Sequence, residues 1–311
     1  MARKISFLSY KGGVGKTSLA VNTGASLAQE GARVLLVDLD TQANASIWLL
    51  GLERWNRLNT KKGATLYSVF NPGNTTLSDC VWHDVVQGRN GQTLLPGMDL
   101  VPTGFDLVDL ESDLEGGNLE RPACVIFQEQ LERLEQDYDY ILFDCPPHTL
   151  RAAQCGIFSS DEIYVPANAD SLSLIGLPLL EEKLHRFRKA SAAYRKNGMG
   201  EPAEIQGVIF NSVWDVCDLE VAEAEASMQA RLNQFRNSKQ ASPGTRILKT
   251  KIRYNRNIER AVVVGLPVSL LGIRDRETDD IRSDYRNLAA EIADWKSIDL
   301  AAGVHLNAAG F

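Results

Sequence analysis

Short apolar runs rich in β-branched residues alternate along the chain with longer stretches in which apolar positions recur every three or four residues. Ile5–Ser9, Val34–Asp38, Tyr140–Asp144, Glu162–Pro166 and Ile205–Asn211 read as strands buried on both faces of a parallel sheet. Between them, Thr17–Glu30, Leu119–Gln136, Leu172–Lys196 and Asp218–Arg236 read as helices. A last helix is expected over Glu277–Trp295. There Ile281, Tyr285, Leu288, Ile292 and Trp295 follow at steps of four, three, four and three, one apolar stripe facing a core. This alternation predicts an α/β fold, a doubly wound, mostly parallel sheet flanked by helices, with ligands bound outside the carboxyl ends of its strands. Glu53–Gly63, Gln87–Gly97 and Ser238–Gly244 are polar and rich in Gly, Asn or Ser, and read as surface loops inside one domain spanning residues 1–311.

The first strand runs into "FLSYKGGVGKTSLAV", residues 7–21, which nearly fits the phosphate-loop template G-x-x-x-x-G-K-[ST]. The template's first glycine is replaced by Tyr10, and a second lysine, Lys11, precedes the glycine pair. Gly12, Gly13 and Gly15 let backbone N–H groups converge on an anion, and the start of the following helix adds its partial positive charge. Lys16 then reaches the β- and γ-phosphates, and the Thr17 hydroxyl ligates Mg²⁺. The candidate nucleotide-binding segment runs through Gly12, Gly13, Val14, Gly15, Lys16, Thr17 and Ser18, and the spacing alone does not say what the extra Lys11 does.

Two further strand ends carry carboxylates. In "VLLVDLDTQANAS", residues 34–46, Asp38 and Asp40 lie two apart and project to the same side of an extended chain. A carboxylate there holds a Mg²⁺-bound water or orients an attacking one; equally, Asp40, Thr41 and Asn44 are all good helix caps. In "YDYILFDCPPH", residues 138–148, an apolar strand ends in Asp144, and Pro146 and Pro147 prevent its continuation. An aspartate at such a tip is the pattern of a Walker-B element, close to the metal.

Composition narrows the partners. The net charge of −7 argues against a uniformly basic protein that coats nucleic acid. Charge is unevenly placed, though: Asp106–Glu115 holds five acidic residues and no basic one, Lys183–Lys196 six Lys/Arg and no acid, and Arg246–Arg260 six against Glu259 alone. Such runs are either solvated helix faces or local polyanion sites. Five scattered cysteines without a C-x-x-C pair fit a reducing cytosol rather than a disulfide framework or zinc site. No apolar run reaches the roughly 18 residues of a membrane span.

KGGVGKT, DLDTQ and FDCPP, in this order, resemble the ParA/MinD family of deviant Walker A ATPases, and ParA-type partitioning and positioning ATPases in particular. The resemblance continues through "VPANADSLSLIGLPLLEEKL", "GVIFNS" and "NIERAVVVGLPVSL", so it covers nearly the whole chain. It implies ATP and Mg²⁺ as cofactors, and a homodimer formed on ATP binding in which Lys11 contacts the nucleotide phosphates across the interface. It also implies that Lys16 and Thr17 hold phosphate and metal, Asp40 positions the hydrolytic water at the metal site, Asp144 supports the metal, and Asn211 contacts adenine. The catalytic set it implies is Lys11, Lys16 and Asp40.

Two departures stand out: Thr41 occupies a position where the family commonly has proline, and the stretch after Asn211 is acidic where ParA-like proteins often carry a DNA-binding arginine. DNA contacts are therefore expected from Arg186, Arg188 and Lys189 on the long helix and from Lys249, Lys251, Arg253 and Arg256 in the loop. A membrane-bound MinD-like selector needs a basic amphipathic C-terminal helix, which "KSIDLAAGVHLNAAGF" does not supply. The cysteines do not match an iron–sulfur electron carrier, and no tyrosine-rich tail marks a tyrosine kinase. The phosphate loop begins at residue 11, which leaves no room for an N-terminal helix-turn-helix. The expected protein is a cytoplasmic, nucleoid-associated ATPase, weak until stimulated by a ParB-like or cargo-adaptor protein. It binds DNA non-specifically and partitions or positions a plasmid, chromosome or protein cargo. The alternative is a MinD-like switch that positions a partner on a surface other than DNA.

Overall fold

The computed structural model describes residues 1–60, 65–70, 75–112, 119, 121–169, 171–195, 199, 201–214, 216, 219–237 and 244–293, and among these described residues nine strands and nine α-helices are found. The strands are β1 (Arg3–Phe7), β2 (Val34–Asp38), β3 (Val86–Gln87), β4 (Thr93–Leu95), β5 (Met98–Val101), β6 (Tyr140–Asp144), β7 (Glu162–Ala167), β8 (Glu204–Phe210) and β9 (Arg246–Ile247). The helices are α1 (Lys16–Gln29), α2 (Asn44–Thr60), α3 (Leu107–Ser112), α4 (Ala123–Leu131), α5 (Arg151–Ser159), α6 (Ser171–Ser191), α7 (Leu219–Asn237), α8 (Asn257–Val264) and α9 (Arg276–Ala293). Seven strands form one sheet in the order β5-β2-β6-β1-β7-β8-β9, every pair parallel, and β3 and β4 form a separate antiparallel hairpin.

The near-continuous apolar runs follow from this layering, because each central strand must feed two cores. Successive side chains on a strand alternate between faces. Leu35, Val37, Ile141 and Phe143 accordingly enter the core that includes α4, α5 and α6, while Val34, Leu36, Leu142, Ile5 and Phe7 enter the core built on α1, α2 and α9. On α9 the expected stripe is realised: Ile281, Tyr285, Leu288 and Ile292 are buried. Trp295, like Lys196 and the C-terminal tail, lies outside the described residues.

Several expectations change. Residues from Glu53 onward are not a loop but the second half of α2, which extends to Thr60. Gly51 interrupts the helical pattern with φ 70, and beyond this kink Trp55 and Leu58 return to the core, Trp55 Nε1 donating to the Thr103 carbonyl at 2.8 Å. Residues 61–63 of that expected loop are outside the described residues, as is most of Ser238–Gly244. Gln87–Gly97 contains β4 and closes the hairpin. The helix expected from Leu119 starts at Ala123, with Pro122 as its N-cap, and ends at Leu131.

Helix α6 buries a carboxyl that makes stability depend on pH. Burial pushes Glu181 up to about 7, with the Arg188 guanidinium 3.8 Å away only partly opposing it. A carboxyl raised on folding contributes stability that is complete below its unfolded pKa, near 4.5, and is lost as pH rises through about 7. Glu181→Gln is expected to remove this decline, so that the variant gains about 2–3 kcal/mol on wild type between pH 5 and pH 8. Urea unfolding at the two pH values measures the difference; parallel changes in both proteins would contradict the assignment.

Candidate functional site

Strand register brings the three motifs into one row. Asp144 at the end of β6 is the parallel partner of Asp38 on β2 and of Phe7 on β1, so the phosphate loop leaves β1 level with both carboxyls. Strand β1 lies between β6 and β7, and the loop stands at the carboxyl end of the sheet's middle, where such sheets bind ligands.

The loop is tight because three of its residues are glycine. Gly13 and Gly15 take φ 73 and 81, the left-handed region that side chains disfavour, and Gly15 leads into α1. A Cβ on Gly15 would collide with the Asn211 carboxamide. Asn211 is buried beneath the loop and donates from Nδ2 to the Val14 carbonyl at 2.8 Å, while its Oδ1 is buried without a hydrogen-bond partner. The expected adenine contact is thus placed as a brace for the phosphate loop, a contact between residues 197 apart that the sequence does not announce. Tyr10, which replaces the template's glycine, ties the loop to the segment after Asp144 through Thr149, Oη to Oγ1 at 2.8 Å. Lys11 is half-buried at the loop's start, and its carbonyl accepts a long bond of 3.5 Å from Lys16 Nζ. Ser18 faces the opposite way and bonds the buried Tyr285 hydroxyl of α9 at 2.7 Å.

Asp38 and Asp40 have different tasks. The Asp38 carboxylate accepts the Ser46 N–H at 2.8 Å, the Ser46 hydroxyl at 2.6 Å and the Asp40 N–H at 3.1 Å. It therefore caps α2 from outside, since that helix begins with the Ile47 N–H bonded to the Ala43 carbonyl. Asp40 is not the cap. One of its oxygens receives only the Gln42 N–H, at 3.0 Å, and its charge acts on Lys16.

Lys16 is buried, which lowers its pKa, and the charges of Asp144 and Asp40 oppose that shift. Burial, reinforced by the neighbouring Asp38, raises Asp144 well above the ordinary carboxylate range; Thr17 and Lys16 counteract only in part. Burial likewise raises Asp38, against the hydrogen bonds from Ser46. Both Asp144 oxygens are buried, and beyond the nearby Thr17 hydroxyl, which stands outside close hydrogen-bond geometry, no side chain or backbone N–H among the described residues satisfies them. A buried carboxylate in that state is costly, and a hard divalent cation held through carboxylate, hydroxyl and phosphate oxygens suits it. Among the described residues, no three His, Cys, Asp or Glu side chains are grouped so as to hold a metal ion by themselves.

The candidate DNA cations divide into two sets. Arg186 pairs with Glu182, Arg188 bonds the Ala203 carbonyl at 2.9 Å beside Glu181, Lys251 pairs with Glu225 at 2.7 Å, and Arg253 bridges Asp280 at 3.0 Å and Asp284 at 3.4 Å. Lys189, Lys249 and Arg256 are exposed and make no ion pair among the described residues. No helix of the described residues is long and apolar enough to cross a membrane.

An all-parallel sheet with a glycine-rich lysine loop at its middle and aspartates on the tips of β6 and β2 defines a P-loop NTPase fold. The AAA domain family model matches residues 2–197. Chromosome partitioning protein ParA of Caulobacter vibrioides is 32% identical over 208 residues, 67% of this chain and 68% of that protein. Sporulation initiation inhibitor protein Soj of Bacillus subtilis is 28% identical over 293 residues, covering 94% and 99%. Among solved structures, an ATP complex of a McdA variant from Cyanothece superposes with a TM-score of 0.69 at 21% identity, over 94% of this chain and 96% of that one. The chain belongs to the ParA/Soj family of partitioning ATPases.

Proposed function

We propose that this chain is an ATP-driven dimerisation switch that binds DNA without sequence preference in its ATP state and thereby partitions or positions a cargo. The observation that carries the reading is the row formed by the phosphate loop, Asp38 and Asp144, with Lys16 buried beside Asp144 and Asp40. In this reading the backbone N–H groups of Gly12 to Lys16 and the Lys16 ammonium bind the triphosphate, and Thr17 and Asp144 would hold Mg²⁺, which would supply charge neutralisation at the phosphates. Asp40 keeps an oxygen available to accept a proton from, and so orient, the attacking water. Lys11, contributed by a second copy, stabilises charge developing on the transferred phosphoryl group. Thr149, bonded to Tyr10, couples the loop to the segment after Asp144. Hydrolysis, accelerated by a ParB-like or cargo-adaptor partner, then releases both partner copy and DNA.

Dimerisation doubles each cationic patch, so contacts too weak in one copy add in two. Because Arg253 and Lys251 are already neutralised by neighbours, Lys249 and Arg256 are the loop cations available to phosphate. Wild-type protein with ATP and Mg²⁺ is expected to retain duplex DNA of unrelated sequences alike, with log affinity falling linearly in log salt. Lys249→Glu with Arg256→Glu should weaken binding at least tenfold and flatten that slope, leaving ATP-driven dimerisation intact. Absence of DNA retention at low salt would favour positioning on another surface.

A further inference from the structure

Two aromatic rings stack on the surface at the carboxyl end of β8. Trp214 and Tyr254 have centroids 4.3 Å apart and planes inclined by 33°, yet Trp214 is 78% exposed and Tyr254 37%. Leaving so large an apolar side chain in water forgoes the burial that usually accounts for its presence. The backbone beneath is firmly held. The Ile252 N–H bonds the Phe210 carbonyl at 2.9 Å, Val213 N–H bonds Ile252 at 3.0 Å, and Tyr254 N–H bonds Val213 at 2.8 Å. Ser212, at φ 57, turns the chain so that Trp214 follows immediately after the strand. The pair thus stands on hydrogen-bonded backbone, with one ring backing the other. Exposed Lys249 and Arg256 lie within five residues of Tyr254 in the same segment. Cations that track a phosphate backbone beside aromatic faces are the composition of single-strand nucleic-acid sites, where each base offers a π-face whatever its sequence.

We infer that Trp214, backed by Tyr254, is a stacking platform for an unpaired base of a bound nucleic acid. The inference rests on the DNA-binding reading above and adds that this protein prefers strands with unstacked bases, for which the outer face of Trp214 is the seat. A duplex keeps its bases stacked internally and meets only the cations.

The test uses the full chain with ATP and Mg²⁺ and two fluorescent probes, a thymidine oligonucleotide and a duplex of equal length, titrated by anisotropy at one salt concentration. Trp214→Ala is expected to lose about 5- to 100-fold in affinity for the single strand, the range of one base–aromatic stack. Duplex affinity should stay within about twofold and the salt slope of single-strand binding should be unchanged, because no phosphate contact is removed. Trp214→Phe should recover most of the loss. Equal single-strand binding by wild type and Trp214→Ala, or equal losses on both probes, would overturn the platform while leaving DNA binding standing. If neither probe binds wild type, the DNA reading falls as well. If Trp214→Ala instead weakens ATP binding in the absence of DNA, the rings serve the cofactor's base and the inference is wrong.

Discussion

Lys16→Gln is expected to cut ATP affinity by roughly a hundredfold or more, the largest binding effect of any single change in this chain. Truncating one partner of a buried, hydrogen-bonded charge pair costs about 2–5 kcal/mol, and 2.7 kcal/mol already corresponds to about a hundredfold. Lys16 is the buried cation of the site, and three carboxyls, Asp38, Asp40 and Asp144, surround the same end of the sheet. Without its ammonium, the incoming triphosphate meets that negative charge with only backbone N–H groups and Thr17 to oppose it. The change also acts on the free protein. Lys16 partly offsets the rise in Asp144, so its loss should favour the protonated carboxyl still further and weaken the metal site along with the phosphate site. Calorimetric titration with ATP and Mg²⁺ measures the effect. Affinity within a few-fold of wild type would remove the phosphate-loop assignment.

Asp40→Ala is expected to leave ATP binding near wild type and to slow hydrolysis by about 10²–10⁴-fold, the range for loss of a positioned acid–base group. Its neighbour Asp38 cannot substitute, because that carboxylate is committed to Ser46 and the start of α2. Asp38→Ala should behave differently. It would leave the Ser46 N–H and hydroxyl without their acceptor and destabilise the protein by about 2–4 kcal/mol. The contrast separates the two aspartates of one motif: one variant folds normally and fails to turn over, the other unfolds early. A normal turnover rate in Asp40→Ala would make Asp40 a turn residue and nothing more.

The parts of the fold legible in the sequence are those where one local signal suffices. Strands β2 and β6 carry unbroken apolar runs that end in aspartate, and their expected limits coincide with the observed ones. Strands β5 and β9 are four and two residues long and have no room for a pattern; only pairing with β2 and β8 makes them strands. The far half of α2 was hidden by Gly51 and a run of Asn and Arg, and its helical state is decided by the burial of Trp55 and Leu58, which is tertiary. The site divides the same way. The phosphate loop and the carboxyls at its sides announce themselves by residue type and spacing. That Asp38 caps a helix while Asp40 does not depends on where Ser46 lands. That Asn211 braces Val14, and that Asp280 and Asp284 neutralise Arg253, depends on contacts between segments far apart in the chain.

In the proposed cycle ATP joins two copies of this chain through Lys11 and hydrolysis separates them. Light scattering behind size exclusion, run with ATP and Mg²⁺, tests it in one set of samples. Asp40→Ala should elute at twice the mass of the 34.3 kDa chain and stay there, wild type should return to a single copy as ATP is consumed, and Lys11→Ala should remain a single copy while still binding nucleotide. A Lys11→Ala protein that dimerises on ATP as readily as Asp40→Ala, or an Asp40→Ala protein that stays a single copy with ATP bound, would contradict the account.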